Sequence, residues 1–182
     1  MIEKYALFTV FKTLRQVGTE ESLRSLSRKA DVGVATAKRC IDYLYEKRVV
    51  KRKILGNLHQ YSLDDGNVLT RQLKIAMTAA EISQSGLVEE ARKKHPEVLS
   101  IVWYGSTAKG TDTPQSDIDI ALITKSPTKV RHMTAEARIA REVSFSSFTL
   151  QEWRKKALTD KAYYDAVIID GICVHGELPV VT

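Results

Sequence analysis

The first third of the chain has apolar positions with a helical period in three successive segments. Apolar residues recur every three or four positions from Leu7 to Val17, from Leu23 to Ala30 and from Ala37 to Leu44, which is the spacing of one face of an α-helix. Gly18 follows the first segment as a helix-ending residue, and Thr19 is placed to cap the next. The pattern predicts three short helices in helix–turn–helix order.

Two strand-like runs follow the third helix. Val49 to Leu55 and Leu58 to Leu63 are joined by Gly56-Asn57, a connection that favours a tight β-hairpin. Three helices followed by a basic hairpin resemble the winged-helix regulators. Proteins of that kind often carry a glycine before the hairpin, where this chain has Arg48.

The resemblance implies that the third helix enters the major groove of double-stranded DNA while the hairpin contacts phosphates. Residues 1–63 carry 13 Lys and Arg against 6 Asp and Glu, whereas residues 64–182 carry 15 against 16. This asymmetry favours a polyanion-binding module. The alternative is a module for protein contacts or dimerisation. The candidate DNA-binding residues are Thr36, Lys38, Arg39, Lys51, Arg52 and Lys53.

A long amphipathic segment follows a polar turn at residues 64–67. Leu69, Leu73, Met77 and Leu87 fall on one side of it, which predicts a connecting helix within residues 66–96. We expect this helix to end near Lys94. It can pack on the domain that follows, pair two subunits in a homodimer, or do both.

The residues with the clearest chemistry follow an apolar run, Val98 to Tyr104, which predicts a buried strand. Gly105-Ser106 comes next, and a strand followed by a glycine turn and a helix start offers backbone N–H groups to phosphate. Asp117 and Asp119 then alternate on a second strand, so both carboxylates lie on one face. Two adjacent acids are costly without a cation, and carboxylate oxygens are ligands that Mg²⁺ prefers.

The run GSTAKGTDTPQSDID, from Gly105 to Asp119, closely resembles the signature of the DNA polymerase beta superfamily, in particular the minimal nucleotidyltransferases and related antitoxin enzymes. The resemblance extends from about Val98 to at least Leu150. It implies that Gly105, Ser106, Lys109 and Ser116 bind a nucleoside triphosphate, and that Asp117 and Asp119 are catalytic and bind Mg²⁺ or Mn²⁺.

The expected fold class is therefore α+β. Residues 1–65 are expected to form a winged helix-turn-helix domain, and residues 66–96 a connecting helix. Residues 97–182 are expected to form a small α/β nucleotidyltransferase domain with a mixed sheet.

Active members of the family usually have a third carboxylate on a later strand. The strand predicted at residues 142–148 places Val143 and Phe145 on the core face and leaves Glu142, Ser144 and Ser146 on the other. Ser144 or Ser146 takes the place of the acid, and a serine is a poor metal ligand and a poor base. Either Glu142 or another group completes the site, or catalysis is weak or absent.

Three functions stay open. The first is transfer of a nucleoside monophosphate from a triphosphate to an acceptor, such as a small molecule or a tyrosine of a partner toxin. The second is a DNA-binding regulator that binds nucleotide without turnover, and the third is a protein-interaction module. No apolar run approaches the roughly 20 residues that span a bilayer, so we expect a cytoplasmic protein without a membrane partner. Cys40 and Cys173 lack metal-ligand spacing, which predicts neither zinc nor a disulfide.

Overall fold

The computed structural model describes residues 5–130 and 132–181. The chain divides into two compact units, Met1–Lys74 and Ile75–Thr182, here called unit 1 and unit 2. Within the described ranges, no helix combines the length and the apolar character needed to cross a membrane.

Unit 1 contains the three predicted helices, α1 (Ala6–Val17), α2 (Leu23–Lys29) and α3 (Val34–Glu46). Gly18 ends α1 in a left-handed conformation with φ +67°, and its N–H donates to the carbonyl of Leu14. The buried apolar side chains come from the three helices and from the segments that follow them: Val10, Phe11, Leu14, Leu26, Ala30, Ala37, Ile41, Leu44, Val49, Val50 and Tyr61.

The second helix begins later than its sequence predicts. Ser22, rather than Thr19, is the N-cap, and its hydroxyl accepts a hydrogen bond from the Ser25 N–H at 3.3 Å. Glu21 and Ser22 form a short strand, β1, that pairs with the hairpin. The prediction of Thr19 as the cap is wrong because backbone pairing takes up the residues in between.

The predicted hairpin is present. Strands β2 (Val50–Leu55) and β3 (Leu58–Leu63) pair antiparallel with Leu55 opposite Leu58, and the sheet order is β1-β3-β2. Arg48, between α3 and β2, has φ +58°. The chain thus adopts a left-handed conformation at the position where a glycine is expected in winged-helix proteins.

The predicted connecting helix is two helices, α4 (Val68–Ser85) and α5 (Leu87–Lys94). Gly86 separates them with φ +76°. The Ser85 hydroxyl donates to the carbonyl of Ile82 at 2.8 Å and accepts from the Leu87 N–H at 3.1 Å. A serine side chain that bonds nearby backbone competes with helical hydrogen bonds, so the single-helix prediction is wrong at Gly86, although the end at Lys94 is confirmed.

Unit 2 is built on a four-stranded sheet of order β6-β5-β4-β7. Its strands are β4 (Val98–Tyr104), β5 (Ile118–Thr124), β6 (Val143–Thr149) and β7 (Ile172–Gly176). The pair β5–β6 is parallel and the other two pairs are antiparallel, so the sheet is mixed, as predicted. A short helix, α6 (Gly105–Lys109), follows β4 directly.

Helices cover both faces of this sheet. On one face, Ile118, Ile120 and Leu122 pack with α5 and a 3₁₀ helix, Thr134–Arg138. On the other face, Ala121 and Ile123 pack with α7 (Leu150–Thr159) and α8 (Lys161–Ile168). Because strand side chains alternate between faces, Asp119 lies on the second face, at the end of the sheet where β5 begins.

Candidate functional site

The glycine turn and the acidic pair meet at one end of the sheet. Asp119, the second residue of β5, lies opposite Tyr104, the last residue of β4, and Gly105 follows Tyr104 directly. A Cβ added to Gly105 would lie 2.3 Å from Oδ2 of Asp119. The Asp119 carboxylate therefore rests against the backbone of the turn.

Gly105 allows this approach for two reasons. It has no Cβ to displace the carboxylate, and its φ is +80°, a conformation that only glycine adopts at little cost. Ser106 follows it in the first turn of α6 and is half-buried, and Gly110 ends the helix with φ +67°. The turn therefore begins at Gly105, in contact with the Asp119 carboxylate.

The protonation of Asp119 depends on its surroundings. Burial raises the pKa of Asp119 above its ordinary value, and the charge of Asp117 raises it further. Asp117 itself is exposed. A cation between the two would relieve this repulsion, so the donor set fits a hard divalent metal. Within the described ranges, no three His, Cys, Asp or Glu residues cluster as a metal site.

A serine occupies the place beside Asp119 on the next strand. The parallel register of β5 and β6 sets Asp119 next to Ser144 and Ala121 next to Ser146. Val143 and Phe145 pack in the core of the opposite face, which confirms the predicted alternation. Glu142 precedes the strand with an exposed side chain, and its carbonyl accepts from the Ile118 N–H at 2.9 Å.

A pair of tyrosine hydroxyls lies near Asp119, where no motif in the sequence predicts it. The hydroxyls of Tyr104 and Tyr163 are 2.9 Å apart. Burial raises the pKa of Tyr163; Tyr104 and the charge of Asp119 act in the same direction, while a hydrogen bond with Ser146 opposes them. Tyr163 is therefore a neutral phenol near Asp119. Its ring packs against the core on this face of the sheet.

The two other predicted nucleotide-binding residues, Lys109 and Ser116, each contact a residue outside the acidic pair. Lys109 Nζ lies 3.2 Å from Oδ2 of Asp170. The Ser116 hydroxyl accepts from the Thr113 N–H at 3.0 Å within the loop that leads to β5. Neither contact joins these side chains to the acidic pair. Lys109 would have to exchange Asp170 for a phosphate in order to bind one.

A half-buried arginine that the sequence did not single out holds the same loop. Arg141 Nη2 lies 2.8 Å from Oδ2 of Asp112, with side chains 9% and 0% exposed. Arg141 precedes β6, and Asp112 lies between α6 and β5. No pattern in the sequence joins two residues so far apart, and only the pairing of β5 with β6 brings them together.

A cavity of about 420 Å³ in unit 2 lies away from the acidic pair. It is lined by Glu89, Arg92, Lys93, Pro96, Val98 and His175. Val98 is opposite Thr124, at the far end of the strand pair from Tyr104 and Asp119. The acidic pair therefore does not belong to this cavity.

The candidate DNA-binding residues of α3 differ in exposure. Lys38 and Arg39 are exposed, whereas Thr36 is half-buried. Lys38 forms an ion pair with Asp42 one helical turn away. Two cations of this helix thus face solvent, and one of them is partly neutralised.

The cations of the hairpin all have partners. Lys51 lies 2.9 Å from Asp64, and Lys53 lies 3.0 Å from Glu20. The Arg52 guanidinium lies 4.8 Å from the ring centroid of Tyr45. All three side chains are exposed, so they are accessible to a polyanion, but the two lysines would exchange carboxylates for phosphates.

Comparisons with known proteins find a similarity in the segment that contains this site. A search of curated proteins gives no significant match. Among solved structures, the crystal structure of Pseudomonas aeruginosa HmgR aligns with 14% identity and a TM-score of 0.33, covering 87% of this chain and 68% of that one. Residues 85–173 match the family model described as the nucleotidyltransferase domain. The segment that contains the glycine turn, the acidic pair and β6 is thus similar to nucleotidyltransferase domains.

Proposed function

We propose that unit 2 binds a nucleoside triphosphate together with Mg²⁺ or Mn²⁺ and transfers the nucleoside monophosphate to an acceptor. The observation that carries this proposal is the position of the Asp119 carboxylate against Gly105. In this position Asp119, a candidate metal ligand, would lie beside the backbone that would hold the phosphates. The family match over residues 85–173 supports it.

Each group has a defined part in this reaction. The backbone at Gly105 and Ser106 would hold the β- and γ-phosphates, and Asp117 and Asp119 would hold the metal. A bound divalent ion neutralises the charge that develops on the phosphates. An acceptor hydroxyl would lose its proton to water and its oxygen would bond to the α-phosphorus as pyrophosphate leaves. Ser144 provides no carboxylate to take the acceptor proton, so we expect turnover to be slow.

Pyrophosphate release tests this proposal. The full chain is incubated with each common nucleoside triphosphate, labelled at the α-phosphate, and Mg²⁺ or Mn²⁺. We expect pyrophosphate release that requires the metal and disappears in Asp117→Asn/Asp119→Asn. Label in a small product or in a protein would separate the two acceptor classes, including a tyrosine of a partner toxin. Release that persists in the double variant would contradict the assignment.

The alternative function is nucleotide binding without turnover, and the position of Ser144 favours it. Ser144→Asp would restore an acid beside Asp119 at an exposed position. Ser146→Asp is the matched control, because its register partner is Ala121. If the wild type binds nucleotide but releases no pyrophosphate, and Ser144→Asp alone releases it, the wild-type protein is a binder. Wild-type release that neither variant improves supports the enzyme.

We also propose that unit 1 binds double-stranded DNA as a winged-helix module. Its helix order, its hairpin and the exposed Lys38 and Arg39 support this. The affinity should fall with salt, with a log–log slope of about −0.9 per phosphate contact. Replacement of Lys51, Arg52 and Lys53 by alanine should flatten that slope.

The ion pairs of the hairpin make the DNA test sharper. Glu20→Gln releases Lys53 and should tighten binding at low salt if Lys53 contacts phosphate. Glu46→Gln releases Lys47, which lies outside the hairpin, and controls for the general loss of negative charge. An equal gain in DNA affinity in the two variants would show that Lys53 does not contact the DNA. No duplex binding at low salt would favour a protein-contact or homodimer role for unit 1.

A further inference from the structure

The loop between α6 and β5 leads directly to the first acid of the site. Residues 111–117 contain no helix or strand. A turn within it is closed by the Ser116 N–H, which donates to the carbonyl of Thr113 at 3.1 Å, and by the Ser116 hydroxyl, which accepts from the Thr113 N–H at 3.0 Å. A loop without regular structure needs other contacts to hold its last residue, Asp117, in place.

Arg141, which lies just before β6, supplies such contacts. Its Nη1 donates to the carbonyls of Thr113 at 2.9 Å and Ser116 at 3.0 Å. Its Nη2 lies 2.8 Å from the Asp112 carboxylate. A guanidinium presents several donors in one rigid plane, and here they bind three acceptors of one short loop.

These contacts bracket Asp117. On one side, the carbonyl of Ser116 is bound by Arg141. On the other, the N–H of Ile118 donates to the carbonyl of Glu142, the residue after Arg141. The backbone before and after Asp117 is therefore fixed by two neighbouring residues that directly precede β6. Asp119, in contrast, is held by the strand pairing of β4 and β5.

Asp112 makes this arrangement nearly neutral. Its side chain is fully buried against Arg141, so the guanidinium charge is compensated where it lies, and its long-range effect on the acidic pair is small. The contribution of Arg141 to the site is therefore geometric. A buried charge that loses its partner is strongly destabilising. Variants of Arg141 must therefore keep the positive charge or remove the charge of Asp112 as well.

We propose that Arg141 is a positioning residue that sets the distance between the Asp117 and Asp119 carboxylates, and thereby the metal affinity of the site. This inference rests on the proposed function of the acidic pair. Partners that orient metal ligands typically change metal affinity 10- to 100-fold when they are removed. The acidic pair should respond to Arg141 by a similar factor.

Mn²⁺ binding to the full chain, alone and with ATP, tests the proposal by electron paramagnetic resonance of the free ion. Arg141→Lys keeps a charge beside Asp112 but cannot reach all three acceptors in one plane, so Mn²⁺ affinity should fall about 10- to 100-fold. Arg138→Lys is the control, because Arg138 also donates to a backbone carbonyl, that of Ser85 at 3.1 Å. It should leave Mn²⁺ affinity unchanged.

Asp112→Asn separates positioning from stability. The guanidinium can still bind both carbonyls in this variant but loses its compensating carboxylate. Stability should therefore fall, while the Mn²⁺ affinity of the folded protein should fall less than in Arg141→Lys. If Arg141→Lys does not fold, the charge-neutral pair Arg141→Met/Asp112→Asn takes its place. Unchanged Mn²⁺ affinity in a folded Arg141 variant, or an equal loss in Arg138→Lys, overturns the inference. A wild type that binds no Mn²⁺ overturns the proposed function, and the inference falls with it.

Discussion

At the scale of single residues, Asp119 has a pKa that its surroundings in the site raise. Burial, and after it the charge of Asp117, raises its pKa, so the folded state binds this proton more tightly than the unfolded state. The free energy of unfolding should therefore fall as pH rises from about 4 through the raised pKa. Mg²⁺ should reduce the fall, because it stabilises the ionised form.

Denaturation followed by tryptophan fluorescence can measure this pH dependence in unit 2, where both tryptophans, Trp103 and Trp153, are buried. In a metal-free buffer, Asp119→Asn should remove the fall and exceed the wild type in stability at pH 7. Asp117→Asn should reduce the fall without removing it, because burial remains. A wild-type stability that matches Asp119→Asn at every pH would show that Asp119 is not strained by its surroundings.

Gly105 gives a second prediction at the residue scale. Gly105→Ala should displace the Asp119 side chain and lower metal-dependent triphosphate affinity at least about 10-fold. Gly86→Ala is a matched control in the same unit, since Gly86 also has a positive φ but its added Cβ would lie 3.7 Å from the nearest atom, in Arg138. Both variants should lose about 1–2 kcal/mol of stability from backbone strain. Equal triphosphate affinities in the two would contradict the role given to Gly105.

Single residues of the site were predictable only where the chain brings them together locally. Gly105, Asp117 and Asp119 fall within one short motif. The alternation of side chains along a strand was enough to predict that Ser144 lies on the sheet face opposite to Val143 and Phe145. The contacts of Arg141 with Asp112 and of Tyr163 with Ser146 depend on strand pairing and helix packing. Those contacts join distant segments, so no local pattern reports them.

At the scale of elements, the junction of α3 and β2 allows a direct test. Arg48 has φ +58°, which costs a non-glycine residue about 1–2 kcal/mol, and the greater entropy of unfolded glycine offsets only part of this. Arg48→Gly should therefore stabilise unit 1 by up to about 1 kcal/mol. Circular dichroism can follow the unfolding of unit 1, whereas tryptophan fluorescence reports on unit 2 because both tryptophans lie there.

Lys47→Gly is the control for that change. Lys47 precedes Arg48, is exposed and has φ −80°, so glycine relieves no strain there and should lower stability by about 0.5–1 kcal/mol. A loss of stability in both variants would mean that Arg48 makes contacts worth more than its backbone strain.

Elements were predicted well where the apolar period is uninterrupted. The three helices of unit 1, its hairpin and the strands β4 and β6 follow from local pattern and turn residues. The predictions failed where backbone groups found other partners. Pairing of Glu21 and Ser22 with β3 delayed the start of α2, and Ser85 with Gly86 divided the connecting helix. Apolar periodicity does not report either event.

At the scale of the whole molecule, the sequence separates a basic segment from a nearly neutral one, and the structure has two compact units. Charge asymmetry predicts what kind of ligand each part attracts, but it does not fix where one unit ends. The division falls within α4, after Lys74. The family match begins later, at residue 85. The central claim concerns unit 2 and can be tested in the full chain.

Calorimetric titration of the full chain with nucleoside triphosphates, with Mg²⁺ or with EDTA, tests that claim most directly. The account predicts that at least one triphosphate binds with Mg²⁺ and that its affinity falls at least about 10-fold in EDTA, because the ion relieves the repulsion between the two carboxylates and bridges them to the phosphates. Asp117→Asn/Asp119→Asn should remove the metal dependence and leave the fold of unit 2 intact. Triphosphate binding that ignores both Mg²⁺ and the acidic pair would contradict the account.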